Sequence, residues 1–207
     1  MHDRQSPSLP DDGPAPAHAA KVALRDQLLT GRHRRPLVEV GADARAIAER
    51  VLASLEVRRA ATVAAYASIG SEPGTSSLLT GLSELGRRVV LPVLLPDLDL
   101  DWAVYRGADS LLPAGRGLLE PVGPRLGVDA VATADLVLVP GLAVSRAGLR
   151  MGRGGGCYDR VLGRVPVGTP VWVLLYDDEV GLDVPAEPHD RTVTGAVTPS
   201  GIVRFGG

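Results

Sequence analysis

Asp135-Leu-Val-Leu-Val-Pro140 leads into Gly148-Leu-Arg-Met-Gly-Arg-Gly-Gly-Gly-Cys-Tyr-Asp-Arg160, and the reading of this stretch decides the fold. The first part is a continuous apolar, β-branched run closed by proline, the pattern of a strand buried on both faces. From Tyr158, Tyr-Asp-Arg-Val-Leu162 has the periodicity of a helix start. Between Arg150 and Asp159 lie four glycines and Arg153. A turn does not need Gly154, Gly155 and Gly156 in a row, but a place that demands positive φ and close backbone approach does. In a strand-to-helix connection, free backbone N–H groups and the helix dipole make an anion site. Arg150 and Arg153 add forked donors suited to phosphate. Asp159 would repel phosphate unless a cation lay between them, so the set points to a magnesium–nucleotide site. It is not a Walker A loop, since no Lys-Ser/Thr pair follows the last glycine. It is not a Rossmann fingerprint, since Cys157 stands where the third glycine belongs. On glycine count alone a flexible surface loop is the plain alternative, and the arginines and Tyr158-Asp159 count against it.

Working outward, apolar runs alternate with helical patterns. Helices are expected over 17–35 and 43–57, and over 77–85 with Thr75 or Ser76 as cap. Strands are expected over 61–66, 88–93, 102–105, 136–139, 171–175 and 193–197. The stretch 111–125, rich in proline and glycine, reads as loop. This alternation predicts an α/β fold: a three-layer α/β/α sandwich around a mainly parallel sheet, in a single domain. Ligands in such folds gather at the carboxyl ends of the strands, where the loops after Tyr66, Val139 and Leu175 would share one cleft.

The composition narrows the function. With 207 residues, 45% hydrophobic, the chain can build one good core. The net charge of −2 comes without a basic run interleaved with aromatics, so nucleic acid is not the expected partner. No apolar run reaches the ~20 residues of a membrane span. Cys157 is the single cysteine, which fits a reducing, cytoplasmic setting. Residues 1–17, with four prolines among polar residues, are expected to form a disordered tail before a domain at 18–207. Of the 22 basic residues 21 are arginine, and Lys21 alone is lysine. A position needing a compact ammonium is one reading, and chance is the other. Lys21 and Arg25 stand one turn apart on the first helix.

A second acidic segment runs from Tyr176 to Arg191. His189-Asp190 stands out because it lies against a strand, where a side chain is positioned. Asp190 could cap a turn or pair with Arg191. It could also share a hard cation with Asp159, since magnesium uses one or two carboxylates and fills its shell with phosphate oxygens and water. His189 has no second His or Cys at ligand spacing, so zinc is not expected.

Lys21-x3-Arg25, Glu72-x2-Thr75, Pro140-Gly-Leu-Ala…Gly148–Arg160, Pro185-x-Glu187-x-His189-Asp190 and Thr198-Pro199 stand in this order. Together they resemble the 5-formyltetrahydrofolate cyclo-ligase (methenyltetrahydrofolate synthetase) family from about Lys21 to Pro199. The resemblance implies ATP-dependent conversion of 5-formyltetrahydrofolate to 5,10-methenyltetrahydrofolate, with ADP and phosphate released. It implies that Lys21, Val22, Ala23, Leu24 and Arg25 bind ATP, together with Arg150, Met151, Gly152, Arg153, Gly154, Gly155, Gly156, Cys157 and Tyr158. It makes Asp159 and Asp190 magnesium ligands and places Ala67 and Glu72 on the folate. Lys21, Arg150 and Arg153 are the expected catalytic cations, and the expected assembly is a monomer or weak dimer. Cys157 departs from a usual aromatic, Val144-Ser145 from Phe-Asp, and Met151 from Leu. Cys157 and Val144 are expected to act on packing around the ligands. A sugar-phosphate isomerase or CoA-transferase-like enzyme, or a non-catalytic folate- or nucleotide-binding module, are the rival readings.

Overall fold

The structure, a computed structural model, describes residues 16–187 and 190–206. Residues 1–15 of the expected tail and His189 of the second acidic segment lie outside the described residues. The helices and strands are α1 (Pro16–His33), α2 (Leu37–Ala53), α3 (Leu55–Arg59), β1 (Thr62–Ala64), α4 (Ser76–Glu84), β2 (Arg88–Leu94) and β3 (Leu100–Val104). Then come β4 (Leu111–Pro113), β5 (Leu119–Pro121), β6 (Leu136–Pro140), β7 (Ala143–Val144), β8 (Arg150–Met151) and α5 (Cys157–Leu162). The chain closes with β9 (Val171–Leu174), β10 (Gly195–Val197) and β11 (Ile202–Arg204).

The seven-stranded sheet has the order β11-β10-β9-β6-β1-β2-β3. The pairs β10–β9, β9–β6, β6–β1 and β1–β2 are parallel, and β3 and β11 close the edges antiparallel. The pleat divides the apolar runs between two faces, as a period of two requires. Val63, Val89, Leu91, Leu136, Leu138, Trp172 and Leu174 face α2 and α4, against Ile47, Val51, Leu78 and Leu82. Ala64, Val90, Val137, Val139, Val171 and Val173 face Val161 and Leu162 of α5 and Val131 of a short 3-10 turn. The expected layered architecture is therefore present. The first helix does something else: Leu24, Leu28 and Leu29 pack on Leu142, Ala143, Met151 and Val184, across the segments that leave β6. This seat carries Lys21 and Arg25 to the carboxyl ends of the strands.

Several boundaries differ from the sequence reading, for local reasons. Pro16 and Ala17 belong to α1 rather than to a tail. The expected helix 43–57 begins at Leu37 and breaks at Ser54, whose hydroxyl accepts the Val57 N–H and starts α3. Thr75 stands at the N-cap position of α4, as expected, but its side chain makes no capping hydrogen bond; its Oγ1 accepts the Ser68 N–H at 2.9 Å while its own N–H donates to Ser68 Oγ at 3.0 Å. That exchange closes the loop after β1. The stretch read as loop over 111–125 contains the β4–β5 hairpin, docked where Glu120 Oε1 accepts the Leu94 N–H at 2.9 Å. Strands as short as β7, β8 and β11 offer too few alternations for a pattern to register.

The parallel strands run outward from β1 in one direction to β2 and from β6 in the other to β9 and β10. The crevice between the ends of β1 and β6 is the switch point of the sheet, where ligands bind in such folds.

Candidate active site

A cavity of about 700 Å³ opens at that switch point. Residues 150–159, Lys21, Val22, Arg25, Ala67, Glu72 and Asp190 all line it. Of the site residues expected from the sequence, Ala23 and Leu24 do not: Ala23 is exposed on α1, and Leu24 joins the cluster that seats the helix.

The glycine run takes the geometry its composition demands. Gly154 and Gly156 have φ of 99° and 67°, so two of the three consecutive glycines occupy conformations that side chains rarely adopt. A Cβ on Gly154 would also stand 3.3 Å from the Arg25 guanidinium carbon, and one on Gly152 would meet Arg150 Nη1 at 2.6 Å. The glycines thus give room for two guanidinium groups to lie against the backbone. Arg25 Nε donates to the Gly152 carbonyl at 3.1 Å, which joins the first helix to the loop.

Three cations of the cavity are held by carboxylates. Lys21, only 4% exposed, donates to Glu187 Oε2 at 2.7 Å and to both Asp190 oxygens at 2.7 and 2.6 Å. Burial alone would lower its pKa, but the hydrogen bonds to Asp190 and Glu187 outweigh that and hold it raised. Arg150 Nη2 donates to Asp159 Oδ1 at 3.0 Å, and its guanidinium sits 5.8 Å from the centre of the Tyr158 ring. Arg153 Nε lies 3.4 Å from Glu72 Oε1. Burial raises the pKa of Glu72, and the Ile69 N–H, Arg153 and Arg32 oppose the rise. Burial also holds the phenols of Tyr66 and Tyr158 well above their ordinary value, so both stay neutral.

A model of the 5-formyltetrahydrofolate cyclo-ligase family matches residues 17–199. The chain belongs to that family. It is 43% identical over 190 residues to the 5-formyltetrahydrofolate cyclo-ligase of Mycolicibacterium smegmatis, covering 89% of this chain and 96% of that one. The Escherichia coli K12 protein of the same name is 31% identical over 161 residues, covering 74% of this chain and 86% of that one. The solved structure of Aquifex aeolicus 5,10-methenyltetrahydrofolate synthetase superposes with a TM-score of 0.77 at 24% identity, covering 89% of this chain and 92% of that one.

Departures from the cyclo-ligase pattern fall in different places. Cys157 lines the cavity at the first residue of α5, with Sγ 3.7 Å from the Gly155 carbonyl. Val144 is wholly buried in the sheet core and does not line the cavity, so the expectation that it acts on ligand packing does not hold. Ser145 Oγ accepts the Ala147 and Leu149 N–H groups at 3.2 and 3.1 Å and closes the β7–β8 turn. Met151 packs beneath α1.

The two acids expected at a magnesium site are unequal as donors. Asp159 has one oxygen on Arg150, and its side chain is 17% exposed. Asp190 gives both oxygens to Lys21, and Oδ2 also accepts the Glu187 N–H at 2.7 Å. So Asp190 closes a turn, as one sequence alternative had it, but its cationic partner is Lys21 rather than Arg191. Among the described residues there is no group of three or more His, Cys, Asp or Glu placed to hold a metal. Two carboxylates fit a cation that arrives with phosphate oxygens, and a cage made wholly of protein is not what they form.

Sequence reasoning missed the β4–β5 wall of the cavity, with Arg116, Leu118, Leu119 and Glu120. It also missed the pair that ties the end of α1 to the sheet: Arg32 and Glu179, with side chains 0% and 2% exposed, join through two contacts of 2.7 Å. Arg32 Nη2 also donates to the carbonyl of Gly141, a cavity residue. Nothing in the sequence pairs residues so far apart, and Arg32 reads as one more surface cation among 21 arginines. No helix among the described residues is long and apolar enough to cross a membrane.

Proposed function

We propose that the chain converts 5-formyltetrahydrofolate to 5,10-methenyltetrahydrofolate with ATP, releasing ADP and phosphate, and that magnesium accompanies the nucleotide. The observation that carries this reading is that one cavity holds both the cationic glycine loop and Glu72 with Ala67, from well-separated parts of the sequence. A phosphate-binding half and a folate half facing each other is what group transfer between the two substrates needs.

The formamide oxygen is a poor nucleophile, and N10 cannot expel it as oxide. Transfer of the γ-phosphoryl group to that oxygen forms an O–P bond as the bond to ADP breaks. N10 then attacks the formyl carbon and gives up its proton to the departing phosphate, as the C–O bond breaks with phosphate as the leaving group. Such a transfer needs positioning and charge neutralisation more than a covalent nucleophile. Lys21, Arg150 and Arg153 supply that charge, and the loop N–H groups supply fixed dipoles. A bound magnesium ion would neutralise phosphate charge, and Asp159, with Asp190 once Lys21 leaves it, would hold it. In the free protein these cations are pre-paired with acids, so binding exchanges carboxylate partners for phosphate, and the buried Lys21 and Arg150 are already desolvated. Glu72, released from Arg153, becomes an acceptor for an N–H of the folate.

Phosphate release from ATP is expected only with 5-formyltetrahydrofolate present, one for one with the methenyl product followed by its absorbance. Folate-independent hydrolysis, or no product at saturating substrates, overturns the reading. Asp159→Asn is expected to shift the magnesium titration of the rate to higher concentration. Asp190→Asn is expected to lower the maximal rate as well, because it also loosens Lys21. Titrations that overlay the parent's would make both carboxylates structural.

A further inference from the structure

We infer that Arg116 binds the anionic tail of the folate, the carboxylates of its glutamyl part. The inference rests on the cyclo-ligase reading and adds a subsite to it. Among the cavity cations, Lys21, Arg150 and Arg153 are paired with acids and Arg25 lies on a carbonyl. Arg116 alone, among the described residues, lines the cavity with its guanidinium in no hydrogen bond or ion pair. It does not belong to the phosphate-binding loop. It sits in the turn between β4 and β5, a hairpin fixed to β2 through Glu120 and Leu94. Its backbone is left-handed, φ 60° and ψ 23°, a conformation uncommon for a residue with a side chain and found where a loop presents one to a ligand.

What lies beside it matches a folate. Pro92, Leu94, Leu100, Leu118 and Leu119 form an apolar stretch of the cavity wall. A reduced folate has a flat, largely uncharged body and then carboxylates. The apolar wall suits the body, and an unpaired exposed guanidinium at its margin suits the acids. The nucleotide does not need Arg116, because its phosphates meet the glycine loop and the cations around it.

The test compares parent, Arg116→Ala and Arg116→Lys with 5-formyltetrahydrofolate carrying one or three glutamates. Arg116 is exposed and, among the described residues, in no hydrogen bond or ion pair, so neither change should disturb folding. Arg116→Ala is expected to raise KM for the monoglutamate about fivefold, the scale of an exposed ion pair, and more for the triglutamate. KM for ATP and kcat should stay at parental values, Arg116→Lys should recover much of the loss, and added salt should narrow the difference between parent and Ala variant. Unchanged KM for both folates, or a rise in KM for ATP instead, overturns the inference. A parent that does not turn over 5-formyltetrahydrofolate overturns the activity itself, whereas an active parent matched by Arg116→Ala overturns only the tail subsite.

Discussion

Lys21→Arg is expected to lower kcat on the order of 10²-fold while moving Tm by only a few degrees. Both residues are good helix formers, so α1 loses little intrinsic stability. Both carry a positive charge, so Asp190 and Glu187 keep a cationic neighbour. What changes is shape. The Lys21 ammonium converges on three carboxylate oxygens at 2.6–2.7 Å in a space where the residue is 4% exposed. A guanidinium is larger and directs its donors in a plane, so it cannot meet all three without displacing the loop that bears Asp190. The same misplacement carries over to a phosphoryl group, where ~1 Å decides the rate. Initial rates and thermal unfolding measured side by side separate the two effects. A variant with nearly parental kcat would show that the ammonium does not reach the phosphates, and that the lone lysine among 21 arginines is a compositional accident.

Much of this site was legible because its chemistry is local in sequence. The run from Arg150 to Asp159 supplies its own turn, donors and acid, and a strand before it and a helix after it fix where it must open. The sheet was legible for a similar reason: Leu136, Val137, Leu138 and Val139 alternate between two faces that both need apolar cover. What the sequence concealed depends on distance. The partners Lys21 and Asp190 are 169 positions apart, and Arg32 and Glu179 are 147 apart. A single sequence shows a charge at each place without saying which charges meet. Val144 shows the converse: it lies near the motif in sequence, yet the pleat of β7 turns its side chain into the core. The helix boundary at Leu37 was concealed because Leu37 and Val38 are 88% and 84% exposed, so the apolar pattern misleads at that end.

Glu179→Leu is expected to be the more damaging change for stability, costing about 3–5 kcal/mol, the scale for breaking a buried ion pair. For a chain of this length that corresponds to a fall in Tm on the order of 10 °C. The substitution strands the Arg32 guanidinium, whose Nη1 already has no partner among the described residues and whose remaining hydrogen bond is to the Gly141 carbonyl. The Tyr176 ring, 5.5 Å from the guanidinium, offsets little of that loss. Arg32→Leu combined with Glu179→Leu should recover most of the stability, because a buried pair replaced by apolar side chains of similar volume is often neutral. Activity need not recover with it. Arg32 anchors the end of the helix that carries Lys21 and Arg25, and it holds Gly141, where a Cβ would come within 2.5 Å of Val173 Cγ2 and so leaves no slack in the cavity floor. The double variant is therefore expected to melt near the parent yet show a lower kcat, with the deficit tracing the register of α1 against the glycine loop. A double variant as unstable as the single would mean that packing around Arg32, and not the stranded charge, sets the cost. One that is stable and fully active would mean that the pair is dispensable to the placement of Lys21.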